Sequence, residues 1–112
     1  MNIYPLEKDV LKAVWELLQT RFKAGHWDRV SSPARIYKGR LTRPKNVGMA
    51  DIVGCLYGAY VAIECKTDNP HSGNPSTRAA QAAWAEDVIR ATGIYIIARR
   101  PEDVSVVLEE LE

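Results

Sequence analysis

Asp51 and Glu64 are two acidic residues that the local sequence brings opposite each other. Residues 50–56 and 59–66 are strand-like runs, separated by a Tyr-Gly pair that suggests a hairpin turn. A hairpin centred on that pair places Asp51 directly opposite Glu64, with Cβ atoms about 5 Å apart. Two carboxylates at that distance repel each other unless a cation lies between them. Because carboxylate oxygens are the ligands that Mg²⁺ and Mn²⁺ prefer, the register indicates a divalent-metal site.

Lys66 lies two residues beyond Glu64 on the same face of the predicted strand and adds one positive charge. The other face, which includes the Cys65 side chain, is wholly apolar and is predicted to be core. The hairpin by itself is equally consistent with a solvated Asp–Glu–Lys cluster on the sheet surface. A bulge in either strand would break the register.

Gln81 and Glu7 are polar residues that stand in line with apolar helix stripes. Gln81 heads a stripe with Trp84 and Val88 in the second predicted helix, so it should face the sheet. Glu7 extends an apolar stripe toward the start of the first predicted helix. Each also has a simpler explanation. Gln81 fits a residue at the edge of the core, and Glu7 fits a first-turn acid favoured by the helix dipole.

Helices and strands must position these residues, and the sequence indicates the elements in order. Apolar periodicity and turn residues predict a helix over 5–23, an extended segment over 30–37, the two hairpin strands, a helix over 76–92, a strand over 94–98 and a short acidic helix or strand from 101 onward. The order α-β-β-β-α-β predicts one α/β domain over residues 1–112, a small mixed β-sheet flanked by helices.

The composition is that of one soluble globular domain. The chain has 112 residues, 46% hydrophobic and 26% charged, which excludes a disordered or fibrous protein. No apolar run approaches the ~18–20 residues of a membrane span, and no secretory signal is recognised at the N-terminus. Cys55 and Cys65 lie in apolar stretches, so we expect no disulfide framework and a reducing, cytoplasmic compartment.

Several enzyme classes lack their motifs in this sequence. A phosphate-loop NTPase needs a glycine-rich loop ending in Gly-Lys-Ser/Thr, which is missing, so no nucleotide cofactor is expected. His26 and His71 lie far apart without the spacing of zinc ligands. No motif supports a serine or cysteine triad.

Charge is distributed unevenly along the chain. Residues 21–45 hold eight basic residues and one acidic residue, whereas residues 101–112 hold five acidic residues and no basic one. A basic segment in a nearly neutral protein is a candidate contact for a polyanion. A solvated, charged loop accounts for the charge alone equally well.

Asp51, twelve intervening residues and then Glu64-Cys65-Lys66 form a pattern that resembles the core of the PD-(D/E)XK nuclease superfamily. More narrowly, residues 48–103 resemble VRR-NUC domains, the virus-type replication-repair nucleases. The resembling positions are Gly48 to Gly54, Gly58, Ala62 to Thr67, Gln81, Trp84, Gly93 and Ala98-Arg99. Proline often precedes the first aspartate in that family, and this chain has Ala50 there. That proline is a backbone feature and not a metal ligand.

The resemblance implies a restriction-endonuclease-like fold and hydrolysis of DNA phosphodiester bonds with Mg²⁺ or Mn²⁺. Asp51 and Glu64 would hold the metal together with the Cys65 backbone carbonyl, and Glu7 would reach it directly or through water. Lys66 would orient or deprotonate the attacking water and stabilise the developing charge. Gln81 would position Lys66, the water or a phosphate.

The same resemblance implies a structure-selective endodeoxyribonuclease of DNA repair, acting on branched DNA such as a four-way (Holliday) junction. Cutting two strands with one site per chain favours a homodimer. The basic residues expected to contact the DNA backbone are Arg35, Lys38, Arg40, Arg43, Lys45 and Arg78. The alternative is a nucleic-acid-binding module with a nuclease-like fold and no turnover. Whether a host or a phage carries the gene stays open.

Overall fold

The helices and strands of the chain come from a computed structural model that describes residues 4–30, 36–37, 40–41, 48–69, 73 and 75–112. The helices are α1 (Glu7–Thr20), α2 (Pro75–Arg90), α3 (Pro101–Leu108) and a 3-10 turn at Glu109–Leu111. The strands are β1 (His26–Arg29), β2 (Ile36–Tyr37), β3 (Arg40–Leu41), β4 (Ile52–Leu56), β5 (Ala59–Cys65) and β6 (Ile94–Ala98).

Four of the strands form one mixed sheet in the order β1-β4-β5-β6, and β2 and β3 pair separately. β1 and β5 both run antiparallel to β4, whereas β6 runs parallel to β5. A parallel neighbour requires a crossover connection, and α2 provides it. The predicted α/β class, with a small mixed sheet flanked by helices, is therefore confirmed.

The hairpin between β4 and β5 has the predicted register. Ile52 pairs with Ile63 at one end and Leu56 with Ala59 at the other. The turn between the strands has φ values of 49° at Tyr57 and 84° at Gly58. Positive φ at both central residues is the mark of a type I′ turn, whose twist matches that of the two strands. The two-residue turn thus fixes which side chains face each other.

The core lies on one face of the sheet, between the strands and the helices α1 and α3. Its fully buried members are Val14 and Leu18 of α1, Ile52 and Leu56 of β4, Val61, Ile63 and Cys65 of β5, Ala98 of β6, and Val104 and Leu108 of α3. The other face meets α2, where the ring centroid of Trp84 lies 6.1 Å from that of Tyr95 on β6. The two faces of the sheet therefore pack against different helix layers.

Some element boundaries differ from the sequence prediction. Helix α1 covers Glu7–Thr20 instead of 5–23, with Leu6 as its N-cap residue. Strand β1 was not predicted, because only Trp27 of its four residues is buried and no alternation is visible. The acidic segment from residue 101 onward, predicted to be either a helix or a strand, begins as a helix, α3. Among the described residues, no helix combines the length and apolar character that a membrane crossing requires.

The end of α2 follows a recognisable pattern. The Gly93 N–H donates to the Val88 carbonyl at 2.8 Å, and the Thr92 N–H donates to the Ile89 carbonyl at 2.9 Å. Thr92 takes the positive φ of 66° that such an ending requires. This is the Schellman arrangement, with threonine where glycine is usual. It turns the chain from α2 directly into β6.

Candidate active site

The acidic pair lies where β4 begins and β5 ends. Asp51 immediately precedes β4, and continuing the Ile52–Ile63 register by one residue sets it opposite Glu64. Asp51 is half-buried, and its Oδ2 accepts a hydrogen bond of 2.9 Å from the Cys65 backbone N–H. Glu64 is only 2% exposed. A buried carboxylate is costly to keep ionised unless positive charge or hydrogen bonds compensate it, and a cation bound to the pair would supply such charge.

The negative charge of Asp51 and Glu64 affects the pKa values of two neighbouring side chains. Burial, together with the carboxylates of Asp51, Glu64 and Glu7, raises the pKa of the Cys65 thiol to about 12. Burial, together with Glu64 and Asp51, likewise raises the pKa of Tyr95 to about 12. The face of the sheet at this end therefore lies in a negative potential, which suits a cation. The Cys65 thiol stays protonated and leaves only its backbone for binding.

Lys66 is the cation closest in sequence to the pair, and α2 holds it in place. Its Nζ donates a hydrogen bond of 2.5 Å to Oε1 of Gln81, and both side chains are partly buried. The backbone N–H of Lys66 donates to the Ala98 carbonyl at 2.9 Å and so extends the β5–β6 ladder by one bond. Strand β6 thus fixes the backbone of Lys66, and Gln81 fixes the Lys66 ammonium group. Gln81 therefore contacts Lys66, one of the three groups that it was predicted to position.

Gly48 fixes the distance between the segment before β4 and helix α2. Its φ is +83°, and a Cβ at this position would collide with the backbone carbonyl of Ala80 and approach the Gln81 backbone nitrogen within 2.9 Å. Only glycine allows this close backbone approach. The contact brings the strand that carries Asp51 and the helix that carries Gln81 into one unit.

A cavity of about 410 Å³ lies beside the Lys66–Gln81 contact. Four predicted site residues line it, namely Glu7, Lys66, Arg78 and Gln81. Thr67, Asp68, Asn69, Gly73, Thr77 and Arg99 complete the described lining. Asp51 and Glu64 are not part of that lining and lie on the adjoining sheet face. The structure thus brings Lys66, Gln81 and Glu7 together at one cavity.

The carboxylates and one backbone carbonyl at this end of the sheet are candidate ligands for a hard cation. Within the described ranges, no three His, Cys, Asp or Glu side chains are grouped so that they could hold a metal ion. Glu7 stays a predicted ligand, and its carboxylate acts together with Asp51 and Glu64 on the pKa of the Cys65 thiol. The donors that fit a hard cation are the two carboxylates and the Cys65 backbone carbonyl. The Cys65 side chain lies in the core as predicted.

Two of the six predicted DNA-contacting residues, Arg40 and Arg78, lie among the described residues. Arg78 is exposed near the start of α2 and lines the cavity. Arg35, Lys38, Arg43 and Lys45 lie outside the described residues, as does His71, and Arg40 is described only as a strand residue of β3.

Sequence reasoning missed Arg99, Asp68 and Tyr95 at this site. Arg99 directly follows β6, and the carboxyl ends of β5 and β6 meet at the same edge of the sheet because the strands are parallel. That topology was the signal that could have placed Arg99 beside Lys66. The prediction did not assign the two strands as neighbours, so the signal was not used.

No protein-family model matches the chain, and no curated protein matches it either. The resemblance to VRR-NUC domains therefore stays a prediction.

Proposed function

We propose that the chain is a divalent-metal-dependent endonuclease that hydrolyses DNA phosphodiester bonds. One observation carries the proposal. The hairpin register sets Asp51 opposite the buried Glu64, and two residues further on Lys66 is held by Gln81 at the wall of a cavity. An acidic pair for a metal next to a fixed ammonium group is the arrangement that phosphodiester hydrolysis needs.

Each residue has a distinct task in this proposal. Asp51 and Glu64, with the Cys65 carbonyl, hold Mg²⁺ or Mn²⁺, which supplies Lewis acidity for the hydrolysis when bound. Lys66 orients the attacking water and stabilises the negative charge that develops on the phosphate. Gln81 keeps the Lys66 ammonium group directed into the cavity. The geometry of attack depends on this fixed placement, because a displaced catalytic group loses most of its effect.

The proposed substrate is DNA with a branch, the four-way junction first. The described cavity carries Lys66, Arg78 and Arg99 and no aromatic ring, which suits contacts to phosphate more than stacking on bases. Recognition would then follow the shape of the DNA and not its sequence.

Cleavage of labelled four-way junction, flap and linear duplex DNA tests the proposal. We expect cutting with Mg²⁺ or Mn²⁺, none with EDTA, and a loss of about 10²-fold or more in Asp51→Asn, Glu64→Gln and Lys66→Ala. Asp28→Asn and Lys12→Ala are the matched controls, because both residues are exposed and lie away from the cavity. The two controls should cut like the unmodified protein.

Two outcomes would contradict the nuclease proposal. Cutting that persists in EDTA or in the Asp51 and Lys66 variants would point to a contaminant or another site. Tight DNA binding without cutting under every metal condition would favour the alternative, a binding module with a nuclease-like fold.

A further inference from the structure

Three cationic side chains line the same cavity and come from three different elements. Lys66 follows β5, Arg78 lies in the first turn of α2, and Arg99 follows β6. All three, with Gln81, also line an adjoining cavity of about 270 Å³ that reaches Tyr95. The cavity of about 410 Å³ also includes Gly73 and Thr77, which flank the start of α2. The peptide dipoles of that helix add positive potential at its first turn.

Only one of these cations has a role in the proposed chemistry. Lys66 is bound to Gln81, whereas Arg99 is bound to an acidic side chain, Asp68. The Arg99 Nε lies 3.4 Å from Asp68 Oδ1, and a guanidinium nitrogen of Arg100 lies 3.1 Å from Asp68 Oδ2. The carboxylate of Asp68 therefore lies beside Arg99, where a phosphate group could also bind.

This ion pair is exchangeable. The side chains of Arg99 and Asp68 are 46% and 44% exposed, and ion pairs so accessible to water contribute little to stability. A phosphate offers Arg99 a geometry equal to that of a carboxylate, because a guanidinium group binds either through two parallel hydrogen bonds. A phosphate in place of Asp68 could keep the single contact of the Arg99 Nε and add a second hydrogen bond to the guanidinium group.

We propose that Arg99 and Arg78 form a subsite for a DNA backbone phosphate other than the cleaved one, and that Asp68 occupies Arg99 until DNA displaces it. The inference rests on the proposed function for the identity of the ligand. It adds a residue that positions the substrate and an internal competitor that weakens binding.

Three substitutions separate this role from a merely structural one. Arg99→Ala removes the phosphate contact and should weaken DNA binding. Asp68→Asn removes the competitor and should strengthen binding. Arg100→Ala is the matched control, because Arg100 shares the ion pair with Asp68 but is not among the residues that line the cavity of about 410 Å³. If the ion pair between Asp68 and Arg99 only fixed the segment around Asp68 to the end of β6, all three substitutions would change DNA binding in the same direction.

The experiment measures the binding of a fluorescent four-way junction and of a linear duplex in EDTA, over a series of KCl concentrations. We expect Arg99→Ala to bind about tenfold more weakly, with a plot of log K against log salt that is shallower by about 0.9. Asp68→Asn should bind several-fold more tightly, and Arg100→Ala no more weakly than the unmodified protein. Under cleavage conditions, Arg99→Ala should raise KM and leave kcat within about threefold.

Each result bears on the proposal separately from the nuclease activity, because binding in EDTA needs no turnover. Weaker binding by Arg99→Ala in a protein that never cuts would support the subsite and overturn the nuclease proposal. Cutting with unchanged binding and salt slope in Arg99→Ala would overturn the subsite and leave the nuclease proposal intact. Asp68→Asn binding more weakly than the unmodified protein would also overturn it.

Discussion

Cys65 has its backbone and its side chain in two different environments. Its N–H donates to Asp51 at 2.9 Å and ties the start of β4 to the end of β5, while its thiol is buried in the core. Burial and three nearby carboxylates raise the pKa of that thiol to about 12. The residue therefore contributes to the site through its peptide groups, and the thiol is a small apolar core group that is not reactive at neutral pH.

The raised pKa values of Cys65 and Tyr95 predict a loss of stability at alkaline pH. Ordinary values are 9.0 for the thiol and 10.0 for the phenol, whereas both are about 12 in the folded chain. Between pH 9 and 12 the unfolded state loses protons that the folded state keeps. The free energy of unfolding therefore falls as pH rises through this range, by at most about 1.4 kcal/mol per pH unit for each group.

Urea unfolding between pH 7 and 10.5 measures this loss. Cys65→Ala should show a shallower decline above pH 9 than the unmodified protein, because one of the two groups is gone. Cys55→Ala is the control, since Cys55 is exposed on the opposite strand face. Curves for Cys65→Ala that run parallel to those of the unmodified protein would disprove the assignment.

At the scale of elements, the hairpin and the β4–α2 contact align the site. The two-residue turn sets Asp51 against Glu64, and Gly48 lets the segment before β4 touch the α2 backbone at Ala80. The turn is encoded by residues that are neighbours in the sequence. The contact between Gly48 and Ala80 depends on how α2 lies across the sheet, which no local sequence pattern specifies.

Gly48→Ala and Gly58→Ala form a matched pair that tests the close approach. Both glycines have φ near 84°, so alanine is strained by about 1–2 kcal/mol at either position. A Cβ at Gly58 meets nothing within 4 Å, whereas one at Gly48 meets the α2 backbone. We expect Gly58→Ala to lose about 1–2 kcal/mol and Gly48→Ala about 2–5 kcal/mol in urea unfolding. Equal losses would show that α2 is not held by this contact.

The sequence predicted the hairpin well and the edge of the sheet poorly, for physical reasons. A two-residue turn with positive φ at both residues leaves the β4–β5 pairing only one register. Strand β1 buries only Trp27, so its pairing with β4 is made by the backbone and leaves no side-chain pattern. Helix α2 began one residue from its predicted start, because Pro75 suits the first helical position.

At the scale of the whole molecule, the site combines residues from four separate parts of the chain. Glu7 comes from α1, Lys66 from the end of β5, Gln81 from α2 and Arg99 from the end of β6. Sequence reasoning found Glu7 and Gln81 because each stands in line with an apolar helix stripe, and Lys66 because it lies two residues beyond Glu64 on the same strand face. It missed Arg99 and Asp68, because exposed charges depart from no pattern and their meeting depends on the β5–β6 pairing.

One such site per chain predicts that the active form on junction DNA is a homodimer. A four-way junction is resolved by two cuts, and two identical chains related by a twofold axis present two sites. Sedimentation velocity should give the mass of two chains at working concentration. A single chain that cuts junctions symmetrically would rule the dimer out.

The two-residue turn between β4 and β5 also has a consequence for the order in which the site is assembled. Hairpins form on the order of microseconds, because their strands are already neighbours along the chain. Parallel pairing of β5 with β6 must wait for the whole α2 crossover, and such non-local pairings form more slowly. During synthesis, the hairpin leaves the ribosome before α2 and β6, which follow it in the chain. The acidic pair can therefore meet first, and the cavity wall that needs Gln81 and Arg99 is completed last.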